Sequence, residues 1–245
     1  MTQARFFQRQ LADYREILVD PQVRTILSAS VLNTFGTGLY GATFVLWVLR
    51  GGVTATTLTL VLSTGAFLAL FLAPVGAVVA ERWGARNVCV ALSAARGGLN
   101  VVLALSVPPT VLASVLLGVL VLDRLAFPAS QAVVQRVSAG TMQSSVLAAR
   151  QLTQTLGHAA GALAAALFQL AVPETWFGSL IALNGMSFFV NAILFARLPV
   201  DGALRPQKLP WTEGWPRGRV ALFLVALAIV DIAGSATGLG LPIYL

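Results

Sequence analysis

Apolar residues in this chain fall into long runs separated by short polar turns. Seven runs of roughly 20 residues or more can be drawn, at about 25 to 49, 55 to 80, 88 to 107, 111 to 134, 146 to 171, 177 to 196 and 220 to 244. A helix needs about 20 apolar residues to cross the hydrocarbon core, whereas a barrel strand needs only about 10. Backbone N–H and C=O groups cannot stay unpaired in lipid, so runs of this length are read as helices that satisfy their own bonds. The pattern predicts an all-α integral membrane protein in four parts. A polar segment over residues 1–24 precedes a six-helix bundle over 25–198, a Pro-rich charged linker over 199–219 and a seventh helix over 220–245. Within the first segment Phe6, Phe7, Leu11, Tyr14 and Leu18 recur at helical spacing, which predicts an amphipathic helix lying on the membrane surface. That segment lacks the apolar core of a secretory signal.

Composition agrees with the pattern: 57% of residues are hydrophobic and 10% charged, against about a quarter charged in soluble domains. The net charge of +7 would suit a nucleic-acid partner, but the placement of the charges excludes that reading. With the N-terminus inside, thirteen of the 16 basic residues fall in cytoplasmic segments, Arg150 among them, and only Arg50 falls outside. This is the positive-inside asymmetry, so the basic balance reports orientation in a cell (plasma) membrane, with the lipid bilayer as partner. Cys89 and His158 are the only residues of their kinds, which leaves no disulfide, no metal cluster and no implied cofactor. No nucleophile constellation is present, and the seventh run has no lysine for a Schiff base. An enzyme or a retinal-binding protein is therefore disfavoured.

Four charges remain inside the apolar runs: Arg96, Asp123, Arg124 and Asp231. Each costs about 2.5 to 3.5 kcal/mol at a helix centre, so each needs a reason to be there. Helices 3 and 4 turn near Pro108 and Pro109, which places Arg96 and Asp123 at depths that agree to about 3 Å at 1.5 Å per residue. They are expected to form a structural ion pair. Adjacent residues on a helix do not share a face, so Arg124 points elsewhere. It is a candidate for an anionic substrate group or for tuning a carboxylate, and equally for a second structural pair. Asp231, midway along the seventh run, is a candidate proton carrier or a protonated side chain with no role.

The turn between the second and third runs reads Ala77-Val-Val-Ala-Glu-Arg-Trp-Gly-Ala-Arg86. It resembles the gating loop of the major facilitator superfamily, Gly-x-x-x-Asp-Arg-x-Gly-Arg-Arg/Lys, with Glu81, Arg82, Gly84 and Arg86 matching in kind and spacing. The fifth run carries Leu156-Gly-His-Ala-Ala-Gly-Ala162, which is similar to the exporter element Gly-Pro-x-x-Gly-Gly of that superfamily. Gly157 and Gly161 keep the spacing, and His158 replaces the proline. Asn33 to Tyr40, Phe127 to Ala132 and Ala182 to Asn191 look like the branch of multidrug, macrolide and siderophore exporters.

The resemblance, over about residues 25 to 245, implies the N-terminal half of a twelve-helix fold plus helix 7, and a proton-coupled exporter (antiporter) of small amphipathic molecules. It implies that Glu81 engages a helix end and basic groups of the second half. It also implies that Asn33, Tyr40, Arg124 and Asp231 face substrate or carry protons. His158 is either a proton-carrying group or a neutral histidine bonded between helices. Two bundles are needed for alternating access, so transport would require a second half-transporter chain or a homodimer. The alternative is a truncated, non-transporting membrane protein that acts by assembly with another chain.

Overall fold

The computed structural model describes residues 19–105, 107–138 and 143–199. Among these are six helices and no strand: α1 (Pro21–Arg50), α2 (Ala55–Trp83), α3 (Ala85–Leu103), α4 (Pro109–Val137), α5 (Gln143–Ala171) and α6 (Phe177–Ala196), with a 3-10 turn at Glu174–Trp176 before α6. The expected surface helix near the N-terminus, the linker, the seventh helix and Asp231 lie outside the described residues.

Helix ends follow local chemistry more closely than hydropathy does. α1 begins at Pro21 rather than near residue 25, because the Asp20 side chain accepts from the Gln22 N–H at 2.8 Å and Pro21 has no N–H to satisfy. Residues 21–24 therefore belong to the bundle and not to the polar segment before it. α3 stops at Leu103, short of the expected 107, because Pro108 and Pro109 start α4. α2 and α3 are joined by Gly84 alone, whose φ of 84° only glycine adopts at low cost.

Four helical segments are long and apolar enough to cross a membrane: Pro21–Arg50, Ala55–Trp83, Pro109–Val137 and Glu174–Ala196. α3 and α5, expected as spans, fall short of that standard. The reason is polar content: α3 carries Arg86, Asn87, Arg96 and Asn100, and α5 carries Arg150, His158 and several glutamines. Ser93, Asn100 and Arg150 are buried within the bundle, and Arg96 is largely covered. These helices bring part of their polar content inside, while Asn87, Gln151 and His158 stay exposed.

Packing follows a regular scheme. α1 packs on α5 and α6, α4 packs on α2 and α3, and α3 packs on α6, while α1 and α4 barely touch. Exchanging α1, α2, α3 with α4, α5, α6 maps each major contact onto another. The start of α1 (Ile26, Ala29) shares an apolar cluster with the end of α4 (Ala129, Val133), so the exchanged helices run in opposite directions. The six helices thus have the form of an inverted three-helix repeat.

Glycines set the closest approaches. A Cβ on Gly97 or Gly185 would sit 3.0 Å from the carbonyl oxygen of the other, so α3 and α6 meet backbone to backbone. α1 and α5 do the same: a Cβ on Gly157 would lie 3.0 Å from Val31 O, and one on Gly38 would lie 2.8 Å from Ala162 N. Small residues at such crossings let helices associate without a hydrophobic driving force. The buried core splits into two ends. One, the Arg86 end, contains Ile26, Val88, Val133 and Phe195; the other, the Arg50 end, contains Val48, Leu58, Leu112 and Ile181.

Candidate functional site

Between the two apolar ends lies a polar layer. Ser93, Arg96 and Asn100 occur at spacings that place them on one face of α3. Asn184, Phe188 and Asn191 do the same on α6. Asn191 donates to Ser93 Oγ at 3.1 Å, Asn184 donates to Asn100 Oδ1 at 3.0 Å, and Asn100 donates to the Arg96 carbonyl at 2.9 Å. Each bridge satisfies groups that could find no water at this depth.

Arg96 and Asp123 are brought together: the guanidinium of α3 pairs with the carboxylate at the middle of α4. The Arg96 guanidinium also lies over the Phe188 ring, 4.0 Å from its centroid, a cation–π contact. The two partners differ in access, since the Arg96 side chain is 14% exposed and that of Asp123 is 49% exposed. The cation is fixed and covered; the anion is reachable. Tyr40 of α1 is within electrostatic reach of both charges and stacks on Phe44 with centroids 4.8 Å apart. Among the described carboxylates, Asp20 and Glu81 belong to one end and Glu174 to the other, which leaves Asp123 alone at mid-depth. Asn33 is half-buried on α1, and its Oδ1, Arg96 Nε and Asn184 Oδ1 have no hydrogen-bond partner among the described residues. Arg124, half-buried, follows Asp123 on the neighbouring helix face.

The gating-loop residues divide in role. Gly84 makes the turn, Arg82 is exposed and Glu81 is half-buried. Arg86 reaches across to donate to the Leu198 carbonyl at 2.9 Å, tying the α2–α3 turn to the end of α6. A cation there complements the negative end of that helix. In the exporter element Gly157 and Gly161 face α1 across the close crossing, whereas the His158 side chain is exposed. The edge of its ring lies beside α1, where a Cβ on Gly41 would sit 3.9 Å from His158 Cε1.

Arg150 is the residue whose position the sequence reading misjudged. Placed among the cytoplasmic charges, it is instead buried, 8% exposed, near the Arg86 end. Its guanidinium donates to Gln131 Oε1 at 2.8 Å, to Ser130 Oγ at 2.9 Å and to Ser30 Oγ at 3.4 Å. It therefore links α5 to both α4 and α1. The available signal was its place one turn inside the fifth apolar run, with polar residues at matching depth in the first and fourth. The asparagines of α3 and α6 were legible in the same way, as polar residues repeating at helical spacing. No group of three or more His, Cys, Asp or Glu that could hold a metal ion occurs among the described residues.

No protein-family model and no curated protein matches this chain. The described residues form helices and no strand, and four helical segments are long and apolar enough to cross a membrane.

Proposed function

We propose that this bundle is a transport module of a proton-coupled exporter of small amphipathic molecules, similar to the N-terminal half of a major facilitator superfamily protein. The observation that carries this reading is the mid-depth polar layer, in which the half-exposed Asp123 carboxylate is held by a covered arginine between two apolar ends. A carboxylate in that position can exchange Arg96 for a proton or a substrate group without exposing the cation. The two-fold exchange of helices supports the same reading, because alternating access in such folds is built on inverted repeats with the site near the midplane. Asn33, Tyr40 and Arg124 on α1 and α4 are the neighbouring substrate contacts, and Asp231 is a further proton carrier. The orientation has the N-terminus in the cytoplasm and the Arg86 end on the inner side of the plasma membrane, as the distribution of basic residues favours.

The test is efflux of fluorescent amphipathic compounds from cells expressing this chain either alone or as a tandem fusion of two copies. Extrusion that exceeds the empty-vector control in either arm, and that stops when the proton gradient is collapsed, supports the proposal. No extrusion in either arm, or extrusion indifferent to the gradient, overturns it.

A further inference from the structure

A groove of about 270 Å³ lies between the start of α3 and the end of α6, lined by Arg86, Asn87, Val90, Ala91 and Ala196. Its chemistry changes along its length. Arg86 and Asn87 form one end, and the exposed Arg197 follows Ala196 at the same level. Below them the lining is short and apolar, with Val90 and the exposed Ala91 and Ala196 leaving a channel that longer side chains would fill. Trp83, 73% exposed, stands one turn of chain away, in the manner of aromatics that settle at headgroup level. Arg86 uses one nitrogen on Leu198 O, and a guanidinium has five N–H donors in all. The first turn of α3 adds free N–H groups, because no side chain caps it.

We infer that this groove binds an anionic phospholipid from the leaflet bordering the Arg86 end, with its phosphate at Arg86, Asn87 and Arg197 and an acyl chain along Val90, Ala91 and Ala196. Charge complementarity selects the occupant: two arginines and an amide donor meet a phosphodiester, and the apolar floor meets a chain. Basic pockets between membrane helices recognise acidic headgroups in this way, at a gain of about 1 kcal/mol for each Lys or Arg near the surface. The consequence is that bound lipid braces the α2–α3 turn against α6, where Arg86 already joins them. This inference rests on the chain residing in a membrane and not on what it transports.

The experiment uses the full chain in nanodiscs of phosphatidylcholine with a minor fraction of phosphatidylglycerol, and native mass spectrometry counts the lipids retained. Wild type should retain phosphatidylglycerol over phosphatidylcholine. Arg197→Gln should lower that preference about fivefold, and Arg86→Gln by as much or more. Ala91→Phe leaves every donor in place and blocks only the channel, so it should also release the lipid. A brominated-chain phosphatidylglycerol should quench wild-type fluorescence more than that of Trp83→Phe. Equal retention of the two lipids, or unchanged retention in Ala91→Phe, overturns the inference. Displacement of the lipid by millimolar inorganic phosphate also overturns it, because the site would then recognise free phosphate.

Discussion

Arg96 and Arg150 are two arginines covered by the same bundle and held in opposite ways. Arg96 has a carboxylate partner and an aromatic face. Arg150 has two hydroxyls and an amide, and no described carboxylate joins them. The first arrangement balances charge and can respond when the balance is disturbed. The second satisfies hydrogen bonds and has no counter-charge to exchange among the described residues. A responsive site and a fixed strut thus use the same side chain, and the partner decides which it is.

That difference predicts unequal costs. The largest falls on Asp123→Ala, which leaves the Arg96 guanidinium covered with no counter-charge. Stability in detergent should drop by about 2 to 3 kcal/mol, less than for a fully buried pair because Asp123 is half-exposed. Adding Arg96→Met in that background removes the orphan charge and should restore more than half of the loss. A double mutant no more stable than Asp123→Ala would show that the two charges are not coupled. Arg150→Ala should cost about 1 to 2 kcal/mol, since it strands only neutral acceptors that water can reach by local relaxation. A loss larger than that of Asp123→Ala would reverse the comparison. Phe188→Leu tests the aromatic face over Arg96 and should cost about 1 kcal/mol, with no matching effect in the Arg96→Met background. Smallest is Glu174→Ala, which breaks the exposed pair with Arg50; thermal unfolding should move by less than about 0.5 kcal/mol and by nothing measurable in high salt.

Much of the fold was legible because hydrophobic runs and helix ends are written locally. Asp20 and Pro21, Gly84, and Pro108 with Pro109 mark boundaries by their own backbone chemistry, and they shifted the expected ends by a few residues. The meeting of Arg96 with Asp123 could be approached from the hairpin and the rise per residue, because a short turn fixes relative depth. Arg150 could not. Its partners are Ser30, Ser130 and Gln131, and the link from α5 to α1 spans 120 positions along the chain. No hairpin sets that register; the glycine contacts between α1 and α5 do. The placement of His158 is set in the same non-local way, since the face of α5 that meets α1 depends on which neighbours are small enough to approach.

The backbone contact of Gly97 with Gly185 works like the spine of a book. α6 carries α1, which carries α5, as one cover, and α3 carries α4, which carries α2, as the other. The asparagine bridges from Asn184 and Asn191 lie along the spine and resist sliding, since a shift of one residue would break both. The pages α1 and α4 have few contacts with each other, and they carry Tyr40 and Asp123 respectively. Arg150 clasps those pages at the Arg86 end, and Leu112 packs beside Val48 and Gly51 at the Arg50 end. The two covers are therefore joined at both ends, by hydrogen bonds at the Arg86 end and by apolar packing at the Arg50 end.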